Sequence, residues 1–295
     1  MFNQYFGSYL LNKGILTPQQ LKAALDYTES THVKLGVLAM NACLMNASQV
    51  SEVQNLQKTM DKKFGEIAVQ RGYVSEDQVQ GLLQAQKSGH VVLSQTLIDH
   101  NYLSLEQLEE ALRGYREDSG LTEEQYEAIK QGDIDNVVRA FLGHSEEVYG
   151  VVVQEFVSLL LKNIIRFLGD TPRIEAKVKV SGTSFPLFVH QPIEGTVGLF
   201  PGLAMDEDVF MAVARAYSGM NIETETELAE ASVTEFLNLN NGLFIVNMDD
   251  HDIDMTLQPP EVIRKATISS NEVTAIPCYM GMGMMYILIG KDKYW

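Results

Sequence analysis

The feature that most constrains this chain is an internal repeat of 29 residues in its first half. Phe6-Gly7, Leu35-Gly36, Phe64-Gly65 and Leu93-Ser94 recur at that interval. So does a Ser, Thr or Asn followed three residues later by Gln: Thr17/Gln20, Asn46/Gln49, Ser75/Gln78 and Ser104/Gln107. This second pattern is a capping box, in which the first side chain accepts from the Gln backbone and the Gln side chain reaches back. Pro18 fits the first helical position, where its missing N–H costs nothing. Apolar residues follow the caps at helical spacing, as Leu21 and Leu25, Val79 and Leu83, Leu108 and Leu112. Before each cap comes a short apolar segment, such as Ile67-Ala68-Val69, ended by Gly14, Cys43, Gly72 or Asn101. One unit is therefore a short helix, a turn and a longer helix. No unit can bury its apolar face alone, so the four are expected to stack. Leu121-Thr122 with Gln125 predicts a partial fifth element at the end of the array.

The repeat resembles the N-terminal domain of type II secretion and type IV pilus assembly ATPases, the MshEN family, over about residues 5–116. The third copy carries most of the likeness: Lys63-Phe64-Gly65, Ala68-Val69, Gly72, Tyr73-Val74, Val79, Leu83 and Gln86. Many members of that family bind cyclic di-GMP through two tandem copies. The resemblance thus implies a candidate nucleotide site in copies two and three, at Lys34, Leu35, Gly36, Gln57, Lys63, Phe64, Gly65, Gly72 and Gln86. The family's leading Arg is Tyr5, Lys34, Lys63 and Val92 here, and its closing Gln is Thr28 in copy one and Tyr115 in copy four. Lys supplies charge but not the planar fork of Arg. The opposing expectation is a docking module that keeps the fold without the ligand. No P-loop follows, so the ATPase likeness ends with this domain.

Charge narrows the partners. The chain carries a formal net charge of −17, divided as −6 over residues 1–144 and −11 over residues 145–295. Both halves are acidic, which argues against a nucleic-acid polymer or an anionic membrane as ligand. The two cysteines, Cys43 and Cys278, form no CxxC pair, so neither a disulfide framework nor a zinc site is expected. The start, Met1-Phe2-Asn3-Gln4-Tyr5, lacks the basic and apolar segments of a signal peptide. With no run of about 18 apolar residues, no membrane span is expected. The expected location is the cytoplasm.

Residues 1–117 are expected to form the repeat domain, 118–145 a polar linker, and 146–295 a second domain. Val137, Val138, Phe141 and Leu142 predict one short amphipathic helix inside the linker. In the second domain a long helix is expected from Glu146 to Gly169-Asp170. Strand-like segments follow at 174–180, 188–193 and 195–200. A helix over 206–219 with Asp206 as its cap comes next, then a third helix from Thr226 that stops at Asn241-Gly242. The segments 243–247, 262–268, 274–279 and 284–289 alternate as strands do. The fold class is α+β: an all-α array followed by long helices on an antiparallel sheet.

The third helix holds the densest chemistry. It reads Glu230-Ala231-Ser232-Val233-Thr234-Glu235-Phe236-Leu237-Asn238-Leu239-Asn240-Asn241-Gly242. Glu235 and Asn238 are three apart and share one face, with Phe236, Leu237 and Leu239 expected toward the core. Taken structurally, the Asn residues would help end a helix and Glu235 would be a solvated acid. The pattern also resembles the CheC/CheX/FliY phosphatases, whose helix carries Asp or Ser, then Glu, then Asn, then Gly. Glu235, Asn238 and Gly242 match that spacing, while Ala231 stands at the leading position with Ser232 beside it.

That resemblance implies a CheX-like domain and a substrate, the aspartyl phosphate of a CheY-like receiver. Asn238 would orient the attacking water and Glu235 would pair with the receiver's lysine. The chain itself would need no metal or cofactor, since Mg2+ belongs to the partner receiver. Relatives dimerise through sheet edges, so a homodimer is a candidate assembly. The alternative is a non-catalytic, receiver-binding or cyclic di-GMP-responsive adaptor. Other motifs are weaker. Asp249-Asp250-His251-Asp252 with Asp254 lacks EF-hand spacing and reads as a solvated turn, and Gly281-Met282-Gly283 lacks a following helix.

Overall fold

The computed structural model describes residues 2–26, 33–60, 62–85, 91–224 and 227–295. Thr28, Gln86 and Thr226 lie outside the described residues. The chain divides into two compact units, Met1–Gly132 and Asp133–Trp295.

The first unit consists of helix pairs. They are α1 (Phe2–Asn12) with α2 (Pro18–Asp26), α3 (Leu35–Asn41) with α4 (Ala47–Gln57), α5 (Phe64–Gln70) with α6 (Glu76–Ala85), and α7 (Val92–Asp99) with α8 (Leu105–Asp118). Helix α9 (Glu123–Gln131) follows. The capping box before each longer helix is formed: the Thr17, Asn46, Ser75 and Ser104 backbones donate to the Gln side chain three residues on, at 2.9, 2.9, 2.7 and 2.8 Å. Thr122 and Gln125 repeat it at α9, at 3.0 Å. The turn within each pair has a left-handed residue at one register position: Gly14 (φ 67°), Cys43 (φ 54°), Gly72 (φ 73°) and Asn101 (φ 55°). Gly and Asn adopt that conformation readily. Cys43 does not.

The array closes on itself instead of forming an open row. Helix α1 packs on α8 and α9, α2 on α7, and α8 also on α3 and α4. Tyr115, where the repeat pattern has Gln, supplies the ring that closes it. Its centroid lies 5.7 Å from Phe2, 5.5 Å from Phe6 and 5.8 Å from Tyr126. Tyr115 is buried in this closure, and an aromatic ring there removes apolar area from water against the first copy.

In the second unit, α10 (Ile134–Leu142) packs on α11 (Val148–Asn163). The segment 118–145 thus holds two helices, α9 at the fifth capping pattern in the first unit and the amphipathic α10 in the second, parted at left-handed Gly132. A π-helical turn, Ile164–Leu168, continues α11. Through that turn, Val148–Leu168 is long and apolar enough to cross a membrane by length and composition, although polar residues such as Gln154, Glu155 and Lys162 interrupt its apolar run. Half of its apolar window is buried inside the unit.

The strands are β1 (Arg173–Ile174), β2 (Ser184–His190), β3 (Ile193–Gly195), β4 (Phe200–Met205), β5 (Met255–Leu257), β6 (Glu261–Thr267), β7 (Thr274–Met280) and β8 (Gly283–Gly290). Six of them form an antiparallel sheet in the order β1-β7-β8-β4-β2-β6, and β3 pairs with β5. The expected strand at 174–180 shrinks to two residues plus a bridge from Val178 to Ala275. Helix α12 (Glu207–Ser218) has the expected Asp206 cap, whose Oδ1 accepts from the Val209 N–H at 2.9 Å.

The third helix, α13, runs from Glu227 to Asp249, straight through Asn241-Gly242 and the segment 243–247 expected as a strand. Gly242 is half-buried within it and has open space where a Cβ would stand. The stop signal is overridden because Asn240, Asn241, Phe244 and Met248 continue the buried face set by Val233, Phe236 and Leu237. Leu239 is only half-buried.

Helices α12 and α13 lie against β2. Alternation along β2 sends Phe188 and His190 to the opposite side. There His190 meets Trp295 with ring centroids 4.1 Å apart, and Tyr294 is buried beside Phe188. Among the described residues neither His190 ring nitrogen has a partner in good hydrogen-bond geometry, and Nε2 lies 3.5 Å from the Glu261 carboxylate. Burial pushes the His190 pKa below its usual 6.5, against the opposing pull of Glu261 and with a smaller push from Lys293.

This packing sets the sign of three substitutions. Cys43→Gly relieves a left-handed non-glycine residue and raises unfolding stability by about 1 kcal/mol. Gly36→Ala lowers it by about 1–3 kcal/mol, since a Cβ there stands 2.7 Å from Val50. Denaturant titration reads both, and equal signs for the two would contradict the turn geometry. His190 binds its proton more readily in the unfolded chain, so its stabilising contribution is present above pH 6.5 and declines as pH falls below it. His190→Phe flattens that part of the stability–pH curve between about pH 7 and 5. An unchanged slope would contradict a buried neutral imidazole.

Candidate functional site

Glu235 and Asn238 lie one turn apart on α13, and both reach solvent, Glu235 exposed and Asn238 half-buried. The flanking Phe236 and Leu237 are wholly buried and fix the roll of the helix that sets this face outward. Among the described residues Glu235 makes no ion pair. A titratable neighbour is Tyr217 of α12, whose ring packs on Phe236 with centroids 5.7 Å apart. The Tyr217 phenol is held above its usual pKa by burial and then by the Glu235 charge. Ser232, beside the leading motif position, is turned inward and donates to the Leu228 carbonyl at 2.7 Å. Ala231 is exposed.

Asn238 is held from behind by a residue that the sequence did not single out. Gln191, in the turn between β2 and β3, is 1% exposed. Its Nε2 donates to Asn238 Oδ1 and to the Gln258 backbone carbonyl, both at 2.8 Å. Its Oε1 accepts from Asn241 Nδ2 at 2.9 Å. The turn itself is pinned, with Gln191 N–H on the Pro201 carbonyl at 3.3 Å and the Gln258 N–H on the Pro192 carbonyl at 2.9 Å. A carboxamide oxygen has two lone pairs and its nitrogen two hydrogens. Asn238 therefore keeps one lone pair and both N–H groups for a visitor, on a side chain whose orientation is fixed. Nothing in the spacing of α13 announces Gln191. Its only sequence signal is a polar residue directly after an apolar strand.

The first unit gathers most of the sequence-derived nucleotide residues. A groove of about 550 Å³ is lined by Lys34, Leu35, Gly36 and Gln57 of copy two and by Lys63, Phe64 and Gly65 of copy three. Gln54, Glu66, Val79, Gln80 and Leu83 complete it. Gly72 does not line the groove and instead forms the left-handed turn of its copy. The walls have a local two-fold relation. A Cβ on Gly36 would meet Val50 and the Phe64 ring, and one on Gly65 would meet Val79 and Leu35. Each glycine thus abuts its own longer helix and the marker residue of the other copy. Lys34 is engaged from copy four: its N–H donates to Gln95 Oε1 and its Nζ pairs with Asp99, each at 2.9 Å. Lys63 is exposed.

Among the described residues no three His, Cys, Asp or Glu side chains gather as a metal-ligand set. Asp249 ends α13, and Asp250-His251-Asp252 forms an exposed turn between α13 and β5. Cys278 is buried, and that burial pushes its thiol up to about 12, while Cys43 is exposed.

No protein-family profile matches the chain, and no curated protein matches it. Solved structures similar to it include a chemotaxis protein CheX from Desulfovibrio desulfuricans, 18% identical, with 48% of this chain and 98% of that chain covered at a TM-score of 0.43. Chemotaxis protein CheX from Vibrio vulnificus is 14% identical, with 50% and 98% covered at 0.42. A chain of the CheX–CheY–BeF3–Mg2+ complex from Borrelia burgdorferi is 14% identical, with 47% and 96% covered at 0.39.

Proposed function

We propose that the C-terminal unit is a phosphatase for the aspartyl phosphate of a CheY-like receiver domain, with Glu235 and Asn238 as its working pair. The observation that carries this reading is an exposed carboxylate and a rigidly held carboxamide, one turn apart, on the motif that resembles the CheC/CheX/FliY helix. An acyl phosphate is already reactive, and its in-line hydrolysis needs a placed water more than a new nucleophile. Asn238 can donate through Nδ2 and accept on the free Oδ1 lone pair, so it can hold a water behind the phosphorus. Glu235, exposed and without an ion pair among the described residues, is suited to a charge-assisted bond with a lysine on the receiver, which fixes the docking register. The Mg2+ of the reaction belongs to the receiver.

The pair divides the kinetics. With phosphorylated CheY-like receivers as substrate and phosphate release as readout, Asn238→Ala lowers kcat by about 100-fold. Glu235→Ala mainly raises KM, by about tenfold or more. Full activity in both folded variants would remove this site, and a wild-type protein that binds receivers without accelerating phosphate loss would leave the adaptor reading.

For the N-terminal unit we propose a two-fold ligand, cyclic di-GMP, in the groove between copies two and three. The support is the reciprocal packing around Gly36 and Gly65, which gives the groove the symmetry of that molecule. Lys34 and Lys63 supply charge for its phosphates, and Asp99 competes for Lys34. Calorimetric titration of the full chain is expected to show saturable binding, weakened about tenfold by Lys63→Ala and tightened by Asp99→Ala. No heat at high ligand concentration would overturn this and leave a docking role.

A further inference from the structure

Gln191 belongs to a longer file. Asn163 Nδ2, at the end of α11 where the π-helical turn begins, donates to Asn240 Oδ1 at 2.9 Å. Asn240 Nδ2 donates to Asn241 Oδ1 at 3.2 Å. Asn241 then donates to Gln191, and Gln191 to Asn238. Five side-chain amides from α11, α13 and the β2–β3 turn run head to tail, and four of them are at most 3% exposed.

One group fixes the direction of the whole file. The Gln258 backbone carbonyl can only accept, so Gln191 must turn its NH2 toward it. The same NH2 then faces Asn238, which must answer with Oδ1. The Gln191 oxygen is left for Asn241, which must donate. Asn240 and Asn163 are forced into line in turn. Reversing Asn238 would set its NH2 against the Gln191 NH2.

We infer that Gln191 is the positioning residue for Asn238, and that the Gln258 carbonyl, acting through it, fixes Asn238 with both N–H groups toward the docking partner. This rests on Asn238 being the reacting-site amide. Asn238 then meets the partner first as a donor, toward a phosphoryl oxygen or the oxygen of the attacking water. Each bond in such a file polarises the next, which strengthens the terminal N–H groups.

Gln191→Glu tests it. The ionised carboxylate of that variant cannot donate to Asn238 or to the Gln258 carbonyl, so Asn238 loses its anchor or turns over. With phosphorylated CheY-like receivers as substrate, kcat falls at least about tenfold at a pH high enough to ionise the introduced carboxyl, while KM stays within about twofold. A buried carboxyl takes up its proton well above the ordinary range. The variant therefore regains part of its activity relative to wild type as pH is lowered, because the protonated carboxyl has one O–H and restores one of the two lost donor bonds. A merely structural role changes the folded fraction with pH and leaves the kcat of the folded protein unchanged. Gln191→Glu with wild-type kcat, beside an inactive Asn238→Ala, overturns the positioning role and spares the site. Wild-type rates in Asn238→Ala overturn the site itself.

A second readout needs neither activity nor a folded variant. In the wild-type protein, 15N relaxation of the Asn238 side-chain NH2 is expected to give an order parameter near the rigid value of about 0.85. A value below about 0.6 overturns the anchoring.

Discussion

The C-terminal unit depends on a row of amides sealed beneath α13. A buried carboxamide without partners costs about 1–3 kcal/mol. Here Asn163, Asn240 and Asn241 sit on buried helix faces where leucine would be usual, Gln191 sits in the β2–β3 turn, and each amide is partnered by the next. Such a network tolerates one arrangement of α11, α13 and the β2–β3 turn and penalises every small slip. That is a costly way to build a core and a sound way to hold one side chain at the surface. Asn238 stands where the row comes out to solvent.

The end of β2 and the turn after it make two unlike environments from adjacent residues. Gln191 turns toward α13 and has its NH2 and carbonyl engaged, while His190 turns to the far side and sits among Phe188, Tyr294 and Trp295 without a partner in good hydrogen-bond geometry among the described residues. The sheet, the helix layer and the C-terminal residues thus converge on one short turn. In the first unit the organising constraint is different. Four copies, each too small to fold, close through Tyr115 and leave a two-fold groove at Gly36 and Gly65.

Local signals were readable wherever local chemistry decided the outcome. The capping pairs Thr17/Gln20 through Thr122/Gln125 and the left-handed positions at Gly14, Gly72 and Asn101 form as their side chains dictate. The end of α13 departs from expectation for the opposite reason. Asn241-Gly242 is a good stop in isolation, but tertiary burial carries the helix seven residues past it to Asp249. The helical period held the clue, since Asn240 and Asn241 follow Phe236 and Leu237 at core spacing and so promised buried amides. Glu235 and Asn238 were legible from their spacing. Gln191 lies 47 residues away in sequence and meets Asn238 only in three dimensions, so no motif could have paired them. Likewise the closure of the repeats hangs on Tyr115, which in sequence is a departure from pattern and in the fold is a contact.

The central claim is that α13 presents Asn238, oriented from within, to the acyl phosphate of a docked receiver. It is tested most directly by a crystal structure of this protein with a receiver loaded with beryllofluoride and Mg2+ in place of the phosphoryl group. The account predicts Asn238 Nδ2 within hydrogen-bond distance of the fluoride shell or of a water in line with it, Glu235 on a receiver lysine, and the Gln191–Asn238 bond intact. A receiver seated elsewhere, or an Asn238 swung free of Gln191 on docking, would contradict it.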